Sequence, residues 1–435
     1  MERSTKTTRD PERLCAEKQS LRLEQLLRQT SEQNPFYRRV WAAAGVDLQD
    51  VTLTTFSSLP LVTKQNFQDD QRLTPPFGTN LSEPVDQYGY YFQTSGTTGT
   101  PVRWLDTEDS WHWRAQCIGH VLLAAGLTRQ DRLMLPFSFG PYTAFWGAYR
   151  AALEWGMMVV PTGGWTSEQR LKVIEDTQVT VVATTPTYAA RLAEVAANLG
   201  KSLASSSVTT LILAGEPGAA AAGWNRQMAD AWGARVCEFV GSTETGTFAY
   251  GCGLAPYWPH IIETEYVVEV INPQTLKPVP DTEVGELVLT ALGRSCSPVI
   301  RYRTGDLVAR TPNVCSCGSP FRQFRDGVMG RRDDMLIVRG VNIFPAALTN
   351  IVGTVLPVGC PYCVVVDHGE NDQDRITVEF EGTTDNPSLA TRVQQTFRQA
   401  FNLRCEVMVV PPGVLERTDY KSHRVWDKRS LPKRS

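Results

Sequence analysis

Several short stretches of this chain place hydroxyls, carboxylates and flexible backbone where a phosphorylated ligand could be held. TSGTTGT (94–100) sets Ser95, Thr97 and Thr98 among Gly96 and Gly99. Glycines let backbone approach a ligand closely and hydroxyls donate to it, a combination that suits a polyphosphate. No Gly-Lys-Ser/Thr follows, so this is not a Walker sequence, and by itself it reads equally as a polar linker. LILAGEPG (211–218) runs from an apolar stretch into Gly215, Glu216 and Pro217, the kind of strand end at which α/β sheets bind ligands. EFVGSTETG (238–246) repeats the design through Ser242 and Thr243 and adds Glu244, a carboxylate within reach of a metal-bound phosphate. In IRYRTGDLV (300–308), Asp306 follows a β-like run and is placed to accept from hydroxyls such as those of a ribose. GRRDDMLIVRGVNIFP (330–345) carries Arg331 and Asp333 in a charged joint. Singly, each is ordinary surface structure.

Those residues need a scaffold. The first 45 residues read as charged helix, with LRLEQLLRQT at helical spacing and Asn34-Pro35 ending it. From 110 to about 245, Ala-rich helical segments such as AARLAEVAANLG alternate with β-rich runs such as TVVATT and TLILAG, which predicts a parallel α/β core. Between 260 and 312, EYVVEVI and GELVLTAL flank NPQTLKPVPD, the pattern of antiparallel hairpins in a small barrel or sheet. From about 334 the strands CVVVDH, RITVEF and CEVMVV alternate with the helical SLATRVQQTFRQAF, predicting a small α+β domain.

At 435 residues the chain exceeds one ordinary core. A net charge of −3 gives no electrostatic reason to expect nucleic acid or an anionic membrane as partner. The opening MERSTKTTRDPERL has no apolar core, and no apolar run approaches the ~18 residues of a membrane span. A cytoplasmic location is expected, with the ten cysteines as thiols or metal ligands.

VCSCGSP places Cys315 and Cys317 so that both thiolates can face one metal, and YGCGLAPYWPH supplies Cys252 and His260. Three cysteines and a histidine make a closed tetrahedral zinc site of the structural type, the alternative being two unconnected thiol clusters. Cys360-Pro-Tyr-Cys363 has redox spacing, but the run VVV that follows enters a strand rather than the helix that would lower a thiol pKa. That pair is therefore expected to be structural.

Taken together and in order, the motifs resemble the acyl- and aryl-adenylate-forming superfamily, and within it the phenylacetate–CoA ligase family, over roughly residues 30–430. The resemblance implies an α/β protein with a large N-terminal adenylation domain (1–332) of parallel α/β subdomains plus a small β region, and a smaller mobile α+β C-terminal domain (333–435). It implies ATP with Mg²⁺. Ser95, Thr97 and Thr98, with Gly96 and Gly99, would then hold the β- and γ-phosphates. Gly215, Glu216 and Pro217 would frame the adenine, Ser242 and Thr243 would meet the α-phosphate, and Glu244 would hold Mg²⁺. Asp306 and Arg331 would hold the ribose, and Asp333 falls on the hinge about which the small domain rotates. Thr100 stands where many members carry lysine, which weakens the positive charge at the phosphates. LERTDYKSHR places Lys421, with Arg424 after it, like the family's late catalytic lysine, although composition alone reads a solvated basic tail. LPFSFGPYTAFWGA (135–148) corresponds to the family's acid pocket, with Phe137, Phe139, Gly140 and Tyr142 near the ligand and Trp146 in the core. Such a pocket suits a flat, aromatic acid.

The expected reaction is ATP-dependent activation of an aryl carboxylic acid as its adenylate, with release of pyrophosphate and transfer to coenzyme A. Transfer to an amine, hydroxyl or carrier-protein thiol, as in natural-product biosynthesis, is the alternative. A non-catalytic nucleotide-binding protein is a second, disfavoured because pure binding would not need Lys421. Partners are then a small aryl acid and its acceptor, with a homodimer allowed.

Overall fold

The computed structural model describes residues 11–94, 100–216, 222–313, 315–339, 341–357, 359–369, 373–382, 387–415 and 424–429. The helix expected at the start is α1 (Pro11–Gln33), and Asn34 both ends it and begins another. Its side chain accepts from the Tyr37 N–H and Pro35 takes the first helical position, so α2 (Pro35–Ala43) starts at once. After α3 (Lys64–Leu73), strands β1 (Tyr90–Gln93) and β2 (Arg103–Asp106) pair antiparallel, with Gln93 opposite Arg103.

The predicted alternation follows: α4 (Glu108–Ala124), β3 (Arg132–Leu135), α5 (Thr143–Glu154), β4 (Met158–Pro161), α6 (Ser167–Thr177), β5 (Val181–Thr184), α7 (Pro186–Asn198), β6 (Thr210–Leu213), α8 (Ala222–Trp232) and β7 (Arg235–Ser242). Every residue of β5 and β6 is buried, as strands covered on both faces require. Next come β8 (Gly246–Tyr250), β9 (His260–Ile261), β10 (Tyr266–Ile271), β11 (Val284–Ala291), β12 (Tyr302–Thr311) and β13 (Gln323–Arg331). These are antiparallel, as expected, but they form no separate barrel or sheet. All join one eleven-stranded sheet of order β10-β11-β12-β13-β9-β8-β7-β6-β5-β3-β4. The change of direction lies inside β7. Residues 235–238 pair parallel with β6, and residues 239–242 pair antiparallel with β8.

The C-terminal part has a hydrophobic core of its own, including Val338, Leu348, Val364, Val378 and Phe397. A hairpin of β14 (Leu336–Val338) and β15 (Val341–Ile343) leads to α9 (Pro345–Val355), β16 (Tyr362–His368), β17 (Asp374–Glu381), α10 (Pro387–Phe401), β18 (Glu406–Val410) and β19 (Val425–Asp427). The sheet order is β18-β17-β16-β19, mixed in direction. Cys363 lies within β16 opposite Glu379, and burial pushes its thiol up to about 11, the reverse of a redox-active thiol. The two parts meet where α8 faces α9. Gln227 Nε2 donates to the Thr354 carbonyl at 3.1 Å, and Gly223 lets the helices approach because a Cβ there would collide with the Thr354 side chain. Among the described residues no helix is long and apolar enough to cross a membrane.

Candidate active site

Strand order reverses at β3, which lies between β4 and β5, so the crevice beyond the carboxyl ends of the parallel strands is the expected ligand site. The segment that leaves β3 at this point is the aromatic one. Phe137 is buried and stacks on Phe145, while Phe139 packs on Trp146 at 4.6 Å. Trp146 is not the core residue the sequence predicts. It is 40% exposed, and its indole N–H donates to the Gly140 carbonyl at 2.9 Å, holding the bend at Gly140-Pro141. Tyr142 is 47% exposed beside it, so the segment has aromatic faces still open to a ligand.

Ser95, Gly96, Thr97, Thr98 and Gly99 lie outside the described residues, as do Pro217 and Lys421. The chain flanking the first group is firmly rooted. Thr94 N–H donates to the Val102 carbonyl and Val102 N–H to Thr94 Oγ1, both at 3.0 Å. The hydroxyl-rich stretch therefore joins the two strands of a hairpin. At the end of β6, Gly215 has φ +85°, which permits the sharp turn. Glu216 Oε2 accepts from the N–H and hydroxyl of Thr187, at 3.1 and 2.6 Å, in the first turn of α7. The carboxylate thus staples the turn and leaves backbone to line the crevice.

After β7 the chain turns through Ser242–Thr245, and its carbonyls are taken from behind. Arg114 donates to Thr243 O at 3.0 Å, Arg294 to Glu244 O at 2.8 Å and Tyr266 to Thr245 O at 2.8 Å. Ser242 Oγ accepts from the Thr245 N–H at 3.2 Å and closes the turn. The Tyr302 hydroxyl stands 3.4 Å from Glu244 Oε1. Burial, then the nearby Glu244 and Asp306, drive the Tyr302 pKa well above its ordinary value. Register sets Asp306 opposite Arg331 across β12 and β13, with Arg331 Nη1 3.6 Å from Asp306 Oδ1. Burial pushes the Asp306 carboxyl up to about 6, against the pull of Arg331. Glu244, Tyr302, Asp306 and Arg331 thus form one cluster, although they come from three separate stretches. Asp333 sits in a single 3-10 turn (Arg332–Asp334) immediately after β13, its carboxylate 3.5 Å from Arg331 Nη2.

Two features escape the sequence reading. Asp106, fully buried at the end of β2, pairs with Arg294 at 2.9 Å and with Arg114 at 3.0 Å. Burial alone would raise its pKa, but the charges of Arg114 and Arg294, with hydrogen bonds from Arg294 and Ser110, outweigh it and the net shift is downward. The only hint is an arginine in the otherwise apolar part of α4. The other feature is Glu238 on β7. Its Oε2 is buried without a hydrogen-bond partner, and burial pushes its carboxyl up to about 8. It lies opposite Leu213 of β6, one strand from Thr184 of β5 and on the same face. A carboxylate inside a parallel strand was the available signal.

The cysteines and the histidine converge in space. The ligand atoms of Cys252, His260, Cys315 and Cys317 all lie within 4.8 Å of one another. Cys252 Sγ is 3.4 Å from Cys315 Sγ, and Cys317 Sγ is 3.4 Å from His260 Nε2. Zinc bonds of ~2.0–2.3 Å in tetrahedral array put ligand atoms roughly 3.5 Å apart, so the set fits that ion with little movement. His260 Nδ1 faces the Phe321 carbonyl at 3.3 Å, which leaves Nε2 for a metal.

A mixed sheet with a parallel half, a carboxylate cluster on its antiparallel half and a separately cored small domain fit an enzyme of the adenylate-forming class. Residues 31–293 match the profile described as AMP-binding enzyme, and residues 340–429 match its C-terminal domain. The chain belongs to the AMP-binding enzyme family. It is 30% identical to a phenylacetate-coenzyme A ligase of Thermus thermophilus, over 94% of this chain and 96% of that one. Among solved structures it resembles a 2-hydroxyisobutyryl-CoA ligase in the postadenylation state, with TM-score 0.88, 25% identity and coverage of 97% and 91%. Against the same enzyme in the thioesterification state, at the same coverage, the TM-score is 0.71.

Proposed function

We propose that this enzyme activates an aromatic carboxylic acid with ATP and passes the acyl group to coenzyme A. An acyl-CoA ligase working through an adenylate is what the family and the similar ligases support. The aromatic substrate rests on the one observation that Phe139, Tyr142 and Trp146 line the segment leaving β3 at the switch point.

The acid's carboxylate oxygen attacks the α-phosphorus, the bond to the bridging oxygen breaks and pyrophosphate leaves. The coenzyme A sulfur, as thiolate, then attacks the acyl carbon, and AMP leaves with the oxygen. The chain's part is positioning and charge. Asp306 accepts from the ribose hydroxyls, with Arg331 beside it, and Thr243 meets the α-phosphate. Glu244 is half-buried with no cationic side chain paired to it among the described residues, so its carboxylate fits Mg²⁺. That ion would supply charge neutralisation on the phosphates. The Cys252–His260–Cys315–Cys317 set would hold a zinc of the closed, structural kind. Lys421 donates to the developing charge. The small domain begins at Asp333.

The test is acid-dependent pyrophosphate exchange over a panel of aryl and aliphatic acids, with thioester measured with and without coenzyme A. Aryl acids should be preferred and product should require coenzyme A. Preference for aliphatic acids removes the aromatic reading, and equal product without coenzyme A removes the acceptor. Lys421→Ala should slow exchange by ~100-fold.

A further inference from the structure

Asp106 lies in the interior, yet both of the arginines it pairs with reach the Thr243–Glu244 loop. Arg294 Nε donates to one oxygen of the Asp106 carboxylate at 2.9 Å, Ser110 Oγ donates to the same oxygen at 2.8 Å, and Arg114 Nε forms an ion pair with the other oxygen at 3.0 Å. Both guanidinium groups point onward to the same loop, Arg294 to the Glu244 carbonyl at 2.8 Å and Arg114 to the Thr243 carbonyl at 3.0 Å. Arg294 also lies over the Trp104 ring at 4.6 Å and donates to the Leu105 carbonyl at 3.4 Å, so it grips β2 from the side. Ser297 Oγ donates to that same carbonyl at 2.9 Å.

We propose that Asp106 is a positioning residue for the reaction. Through Arg114 and Arg294 it fixes the Thr243–Glu244 backbone against the β1–β2 hairpin, and so sets where the Glu244 carboxylate meets the Mg²⁺ that accompanies ATP. This rests on the reading of Glu244 as the metal carboxylate. Simple cementing of the fold would not need such a cluster, because buried ion pairs rarely outperform apolar side chains of similar volume. A guanidinium fork does what an apolar group cannot: it satisfies a carboxylate and a carbonyl at once, in fixed directions. With their carbonyls held from behind, Thr243 and Glu244 can present their side chains to the crevice. The cluster also carries two cations against one anion, and in a water-poor interior the excess positive charge favours an anion at the loop it touches.

The test compares the full chain with Asp106→Asn and Arg294→Lys, after thermal unfolding has shown each to be folded. Acid-dependent pyrophosphate exchange is measured across Mg²⁺ concentrations at fixed ATP. Mn²⁺ affinity of the ATP complex is measured by electron paramagnetic resonance, with Glu244→Gln as reference. The Mg²⁺ needed for half-activity should rise about 10-fold or more in both variants and Mn²⁺ affinity should fall in parallel, while KM for the acid stays within about threefold. A shift of ~1 Å in the loop is enough to lower the maximal rate by about 100-fold. Folded variants with wild-type Mg²⁺ dependence and Mn²⁺ affinity overturn the proposal, as does failure of both variants to fold, which would make the cluster structural only. If Glu244→Gln leaves Mn²⁺ affinity unchanged, the metal role of Glu244 falls and the inference with it. If the wild type shows no acid-dependent exchange, the proposed reaction falls instead, and the Mn²⁺ measurement still decides the role of Asp106.

Discussion

Asp306 and Arg331 stand opposite each other on β12 and β13, and the same guanidinium reaches Asp333 in the turn that leads to the small domain. One arginine therefore touches both the carboxylate proposed to bind the ribose and the joint.

The pH dependence of ATP use should follow Asp306. Two ribose hydroxyls can donate to both of its oxygens only when it is ionised, since protonation turns one of them into a donor, and burial has raised its pKa to about 6. kcat/KM for ATP should fall as pH drops through about 6, and Asp306→Asn should be slower and lack that inflection. Stability should show the opposite sense. A carboxyl whose folded pKa is raised contributes stability that is full below its unfolded value and is lost as pH rises towards 6. Asp306→Asn should therefore gain stability relative to wild type at pH 7 and not at pH 4. A profile for ATP that is flat between pH 5 and 7 removes the assignment.

Glu238 should act on stability at higher pH. With its carboxyl pushed up to about 8 and one oxygen unpartnered, the folded protein keeps the proton through neutral pH while the unfolded chain loses it near the ordinary value. The Tm of Glu238→Gln relative to wild type should climb from about pH 4.5 to about 8 and level off above. A difference independent of pH would show that burial does not hold this proton.

Zinc should be present at about one per chain in protein prepared without chelator, and Cys317→Ser should lose it and lower Tm. The ion would tie the chain leaving β8 and β9 to the chain entering β13. Metal analysis finding none ends that reading.

Rotation at the joint can be tested with proline. In the turn of Arg332–Asp334, Arg332 is the first residue, and the preceding Arg331 is already extended at φ −95°, ψ 143°. A proline at 332 fits both the fixed φ of the turn and the extended residue it demands before it. Arg332→Pro should restrict the joint to the backbone conformation seen in this structure, keeping pyrophosphate exchange while slowing thioester formation by about 10-fold or more. Wild-type rates in both half-reactions would show that no rotation about the Arg331–Arg332 backbone is required.

The sequence by itself determined the local pieces and their order. Apolar runs such as TLILAG became β6, Asn34-Pro35 broke the first helix, and the Cys-x-Cys turn found its partners. These depend on interactions between near neighbours or on the distinctive chemistry of a few side chains, both of which are written in the order of residues. The tertiary structure alone decided which remote groups share a charge. It joined the parallel and antiparallel strands through the middle of β7, turned Glu216 inward to Thr187, left Trp146 at the surface and brought Arg294 to Asp106 across 188 positions. A buried ion pair has no periodicity and no fixed spacing. It forms because desolvated charges must find partners wherever packing brings them together, and only the folded chain says where that is.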